Sequence, residues 1–184
     1  AEDHMPNSIN TDYYIGSVTK QFTAAAIMML AEQDKLSVDD TLDKYYPDYE
    51  YGSKISIKNL LTMTSGIKSY MCVDGSIDSD VYTQSQLGYK VSSKNSAKQN
   101  KKSIIDLIFA QKLLFEPDTE FRFSDSNYYI LGDIIEIVSG EKYEDFVEEN
   151  IFKPVGMNST SFSATDNLAC GYDGNQVQAW ISYK

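Results

Sequence analysis

A mainly α-helical chain is predicted, and three observations predict it. Apolar residues recur at helical spacing in separate stretches near residues 18–30, 104–110 and 128–138. Start and stop chemistry flanks those stretches, with Ser103 placed as an N-cap and Gly140 as a C-terminal stop. The resulting total of about five or six helices is high for a chain of 184 residues.

The first helix begins near Val18. Phe22, Ala25, Ala26, Met29 and Leu30 follow at helical spacing, and the pattern fades around Asp34, Lys35 and Leu36. Ser37 through Leu42 carries capping chemistry and predicts a short second helix. After a turn rich in Tyr, Pro and Asp, residues 55–61 read as another short helix running into the loop Thr62-Met63-Thr64-Ser65-Gly66-Ile67. Residues 69–102 are rich in Ser, Asp, Asn and Lys without a sustained period, and are read as a long insertion or lid. Ser103 then caps a helix from Ile104 to Ala110, and Tyr128, Leu131, Ile134, Ile135 and Val138 share one face of the next. Tyr143 to Glu149 makes a last short helix.

The opening of the first helix carries the chemistry. Ser17 and Lys20 lie three residues apart, which puts hydroxyl and amine on one helical face, one turn from each other. An amine so placed can take the proton of a nucleophilic hydroxyl. The spacing alone is weak, because Ser65-Gly66-Ile67-Lys68 and Ser139-Gly140-Glu141-Lys142 share it. Both of those read as helix exits, and only Ser17 opens a helix. Partial positive charge gathers at a helix N-terminus, so a developing oxyanion is favoured there and Lys20 is expected to be pushed toward its neutral form. For an arbitrary S-x-x-K the bland alternative, a capping serine and a solvated lysine, would be the better reading.

Composition excludes several classes of function. A hydrophobic content of 42% with 23% charged residues suits one globular domain over 1–184, with 1–11 as an N-terminal tail. Sixteen basic and 27 acidic residues give a formal charge of −11, which argues against nucleic acid or an anionic membrane as the main partner. No apolar run approaches a membrane span. His4 is the one histidine, and it lies in the polar N-terminal tail, so Ser-His-Asp and Cys-His sites are rejected. His4, Cys72 and Cys170 make a poor metal set, and no metal or other cofactor is expected. A Cys72–Cys170 disulfide and two free thiols both remain open.

Four segments occur together in order: residues 15–22 around Ser17 and Lys20; Leu60 to Ile67; Glu116-Pro117-Asp118-Thr119 through Ser124-Asp125-Ser126-Asn127 to Gly132; and Pro154-Val155-Gly156-Met157-Asn158-Ser159-Thr160. In these the chain resembles the serine β-lactamase and penicillin-binding-protein superfamily, in the branch of class C β-lactamases, D-Ala-D-Ala carboxypeptidases and esterases. The resemblance runs over roughly residues 12–172. It implies the helical subdomain of an α+β fold, with most of the antiparallel sheet missing from this chain. It also implies acyl transfer through a seryl ester, with Ser17 as nucleophile, its backbone N–H as half of an oxyanion hole, and Lys20 as proton acceptor.

Two departures qualify that expectation. The family's second motif, Tyr-x-Asn, falls on Phe123, Ser124 and Asp125. Phe123 has no ionisable group and is expected to pack in the core, while Asp125 is expected to cap its helix or to hold Lys20 protonated. Ser124 offers a hydroxyl after a backbone shift. The family's third motif, a Lys- or His-led Thr/Ser-Gly element on a strand, does not occur in this chain. The resemblance thus implies a serine hydrolase acting outside the cytoplasmic membrane on a small-molecule or peptide substrate, a D-alanyl peptide, β-lactam or ester. Its turnover is expected to be impaired and its fold completed by another segment or chain. The alternative is a non-catalytic binding or sensory module, or an isolated helical domain.

Overall fold

The computed structural model describes residues 6–70, 96–163, 168–169, 171–173 and 176–178, so His4, Cys72, Cys170 and most of the 69–102 segment lie outside the described residues. The first helix, α1, spans Thr19–Glu32 and follows a 3-10 turn at Gly16–Val18. Its centre is alanine-rich and free of breakers, which favours the helix. Its buried stripe is Thr23, Ala26, Ile27 and Leu30, whereas Ala25, expected on the apolar face, is exposed. The helix stops where Asp34 turns left-handed (φ 56°) and the Lys35 N–H donates back to the Leu30 carbonyl at 3.0 Å.

The helix expected from Ser37 to Leu42 is replaced by a turn, with a single 3-10 turn at Leu42–Lys44. The cause is side-chain competition for the backbone. The Asp40 carboxylate accepts the Ser37 N–H at 2.8 Å, and the Ser37 Oγ accepts the Asp39 N–H at 3.2 Å, so local bonds displace the helical ladder.

The short helix α2 spans Ile57–Leu61 and opens on a capping box between Ser56 and Asn59. Helix α3 spans Ala97–Phe109, so it begins well before Ser103. Ser96 and Gln99 form its capping box, a reciprocal pair that satisfies more of the free first-turn N–H groups than Ser103 inside the helix could.

Helix α4, Asp125–Ser139, is the central element, with Ile130, Leu131, Ile134 and Ile135 fully buried. Each such side chain contributes about 1.5–3 kcal/mol of burial free energy. α4 packs against α1 and α2 and ends at Gly140, where φ is +76°. Helix α5, Tyr143–Val147, continues into a π-helical turn at Glu148–Phe152 and carries Phe146, Val147 and Phe152 into the same core. The Phe152 ring meets Phe22 of α1 edge-on at 5.0 Å.

Extended structure is sparse among the described residues. Strands β1 (Gly171–Asp173) and β2 (Gln176–Gln178) form one antiparallel pair in which Tyr172 is in register with Val177. Upstream, Asp12 bridges Leu168 and accepts the Ala169 N–H at 2.8 Å. The described chain is otherwise helical and turn-rich, as its periodicities predict.

Candidate active site

The turn before α1 puts Ser17 on the surface. Gly16 adopts a φ of +49°, a conformation that favours glycine, and leads directly into the exposed Ser17. Lys20 then falls in the first turn of α1, and its Nζ donates to Ser17 Oγ at 3.0 Å. The predicted juxtaposition of hydroxyl and amine is therefore present.

The opposite wall comes from the start of α4, which a loop holds in place. Residues 63–66 pair with the chain before α4: Leu114 N–H donates to the Gly66 carbonyl at 2.8 Å, Asp118 N–H to Thr64 at 3.0 Å, and Arg122 N–H to Met63 at 3.0 Å. Ser65 Oγ donates to Asn127 Oδ1 at 2.7 Å, and Ser126 Oγ to the Lys68 carbonyl at 2.6 Å. The Ser69 Oγ accepts the Asp125 N–H at 3.3 Å, which satisfies one free donor of α4. These bonds fix the position of Asp125.

Asp125 is the first residue of α4 and does not cap it with its side chain. Its Oδ1 instead accepts from Lys20 Nζ at 2.6 Å, across 105 residues of sequence. Both side chains are half-buried, at 20% exposure for Lys20 and 16% for Asp125. A carboxylate at a helix N-terminus is favoured by the dipole, and an ammonium in the first turn of α1 is not, so pairing the two offsets the cost of Lys20's position.

The other second-motif positions behave differently from expectation. Phe123 is not core: it is 41% exposed, with its ring centroid 5.1 Å from Lys20 Nζ. The Arg122 N–H bond to the Met63 carbonyl holds the chain just before it, and its ring stays exposed beside Lys20. Ser124 is buried, and its Oγ has no hydrogen-bond partner among the described residues. It makes no bond to Ser17 or Lys20.

Sequence reasoning missed three contributors. Tyr128, read as a core position, presents its ring to Lys20 Nζ at 5.9 Å, while its hydroxyl donates to the Leu61 carbonyl at 3.2 Å. Burial pushes that phenol's pKa up, so it stays protonated, and its hydrogen bond goes to the Leu61 carbonyl rather than to the amine. Ser65, dismissed as a look-alike, and Asn127 anchor α4 from below. Ser65 lies in the Leu60–Ile67 segment that carries the resemblance, but nothing local reveals a partner 62 positions away.

Fold and site together define a class. The β-lactamase family model matches residues 1–173, and the chain belongs to this family of β-lactamase and penicillin-binding-protein-like serine hydrolases. It is 34% identical over 162 residues to a putative penicillin-binding protein, PbpX, of Bacillus subtilis, a match covering 88% of this chain and 36% of that protein. Among solved structures, a penicillin-binding protein from Bacillus halodurans superposes with a TM-score of 0.73 at 28% identity, covering 93% of this chain and 51% of that one. A class C β-lactamase superposes with a TM-score of 0.75 at 22% identity, covering 98% of this chain and 46% of the other. The chain thus spans about half or less of the relatives it matches, and its helices correspond to a helical subdomain of their fold. No described helix is long and apolar enough to cross a membrane.

Proposed function

We propose that this chain carries the nucleophile of a slow serine acyl-transferring hydrolase, with Ser17 attacking the carbonyl of a D-alanyl peptide, β-lactam or small ester. One observation carries the reading: Lys20 Nζ bridges Ser17 Oγ at 3.0 Å and Asp125 Oδ1 at 2.6 Å, so the nucleophile, the amine and the second-motif position meet at one point. In acylation the Ser17 Oγ–C bond forms as the hydroxyl proton passes to the Lys20 amine, and the carbonyl C–N or C–O bond of the substrate then breaks as that proton is handed on to the departing amine or alkoxide. The carbonyl oxygen, becoming negative, lies near the dipole of α1. Deacylation by water would return the serine.

The same geometry supports slow turnover. Phe123 offers no proton to a leaving group, a contribution worth about 10²–10⁴ in rate where a phenol or similar group performs it. The Tyr128 hydroxyl does not substitute, because it is bonded to the Leu61 carbonyl. The protein would act outside the cytoplasmic membrane, where peptidoglycan and β-lactams occur, in keeping with its similarity to penicillin-binding proteins. The longer relatives also favour a completing segment that supplies the rest of the site.

The test is covalent labelling with a fluorescent penicillin or a fluorophosphonate. A single adduct on Ser17, absent in Ser17→Ala, is expected. The exposed, non-ionisable Phe123 favours a second reading, a penicillin-binding-like module that binds without turnover. Hydrolysis of ester or β-lactam that depends on Lys20 would exclude it.

A further inference from the structure

We propose that Phe123 is a specificity-determining residue whose exposed ring receives a phenyl or similarly flat apolar group of the substrate, so that Ser17 is acylated by arylalkyl esters and amides in preference to small D-alanyl donors. The aromatic subsite is argued from its own geometry, and its part in selecting acyl donors rests on the hydrolase reading above.

The ring is held in place yet left uncovered among the described residues. On one side the Arg122 N–H donates to the Met63 carbonyl at 3.0 Å. On the other, Ser124 is buried and the Asp125 N–H donates to Ser69 Oγ at 3.3 Å. The backbone that carries Phe123 is thus pinned on both flanks, and little ordering remains to be done when a ligand arrives. The ring itself stays 41% exposed. Lys20 Nζ lies 5.1 Å from its centroid, and the same amine donates to Ser17 Oγ at 3.0 Å, so the aromatic surface stands one contact away from the nucleophile. Ile15 and Val18, on either side of Ser17 in sequence, are exposed as well, which makes the chain around the hydroxyl apolar in a protein whose formal charge is −11.

The consequence is a preference for one kind of acyl donor. A second ring laid on Phe123 removes apolar surface of both from water, and offset or edge-on ring pairs gain more than the area alone provides. Such pairs form at centroid separations of about 4.5–7 Å, so a phenyl group two or three bonds from a carbonyl at Ser17 is within range. The methyl group of a D-alanyl donor covers little of the ring and gains correspondingly little. Phe123→Tyr keeps the aromatic face, whereas Phe123→Ala removes it. A ring that served only to pack under another part of the protein would give no advantage to an aryl group on the substrate.

Two measurements test this, one of which needs no reaction. In Ser17→Ala protein, binding of 2-phenylacetamide and of acetamide is followed by ligand-observed NMR titration. The phenyl compound is expected to bind about three-fold or more tightly, with the preference kept in Phe123→Tyr and lost in Phe123→Ala. Should Phe123→Ala fail to fold by circular dichroism, Phe123→Leu, which keeps apolar volume without a ring face, is expected to lose most of it. With Ser17 intact, labelling by fluorophosphonates bearing a 2-phenylethoxy or an ethoxy group is compared, each rate divided by that reagent's hydrolysis rate in buffer. The phenyl reagent is expected to label Ser17 about three-fold or more faster, and Phe123→Ala to remove the difference. No preference in binding, or one that the loss of the ring leaves intact, overturns the subsite. Equal normalised labelling rates overturn its part in selection and with it the proposal. A Phe123-dependent preference in binding with Ser17 unlabelled by either reagent leaves the subsite standing and removes the hydrolase reading.

Discussion

Phe123, which the resemblance matches to the family's second-motif tyrosine, holds an aromatic ring 5.1 Å from the lysine amine and has no hydroxyl. Phe123→Tyr adds an ionisable group at an exposed position without disturbing the core. Ser17 labelling by a fluorophosphonate is expected to quicken about ten-fold or more. An unchanged rate would favour the module that binds without turnover. Asp125 shows why residue roles were only half legible. Its place at a helix start was readable from the pattern that follows it, and so was the alternative of a contact with Lys20. Which of the two prevails depends on a packing of α4 against α1 that no local pattern encodes. Asp40 gives a second residue-scale prediction. Burial opposes its charge, but hydrogen bonds from Lys44, the Ser37 N–H and Tyr45 outweigh that and hold its carboxyl below the ordinary value of 3.8. Because the folded value is depressed, its stabilisation is complete above 3.8 and is lost as pH falls through the lower folded value. Asp40→Asn should therefore lower stability at neutral pH by about 1 kcal/mol and flatten the acid limb of the stability profile. Urea midpoints measured from pH 7 down to pH 2 check this, and parallel curves for the two proteins would contradict it.

At the scale of elements, helices were legible where a single face is buried, and boundaries were not. α1 and α4 follow their apolar spacing, and Gly140 ends α4 as expected. α3 starts at Ala97 because the Ser96–Gln99 box lies in a polar stretch whose apolar period begins only later. The Ser37–Leu42 stretch misled because the same Ser and Asp side chains that cap helices also build turns. Two glycines separate backbone conformation from crowding. Gly66 and Gly140 have φ of +75° and +76°, yet a Cβ on Gly66 would sit 2.2 Å from the Phe115 carbonyl oxygen, while one on Gly140 meets nothing within 4 Å. Gly140→Ala should cost about 1–2 kcal/mol, the conformational term alone. Gly66→Ala should cost at least about 2 kcal/mol more, because the 63–66 segment must separate from its partner at Leu114 and Phe115. Thermal unfolding of both variants tests the ordering, and equal losses would show that the loop yields without cost. Loosening that segment also shifts Phe123 and Asp125, so Gly66→Ala should slow or scatter Ser17 labelling where Gly140→Ala does not.

For the whole molecule, the helices of a β-lactamase-family fold meet around one core, and the short antiparallel pair is the extent of regular sheet among the described residues. The helical half was legible because each helix carries its own period. The sheet of the family rests on pairings between distant segments, for which the sequence offers little local signal. The site divides in the same way. Ser17 and Lys20 are one turn apart and readable from spacing, whereas their third partner arrives from α4 and is held there by Ser65, Ser69 and Asn127. The central claim is that this arrangement still makes Ser17 a nucleophile. Incubation with a fluorescent penicillin and a fluorophosphonate, followed by peptide mapping, tests it most directly. The account predicts slow formation of one adduct, located on Ser17 and absent in Ser17→Ala. No adduct at all, or an adduct that persists in Ser17→Ala, would contradict it.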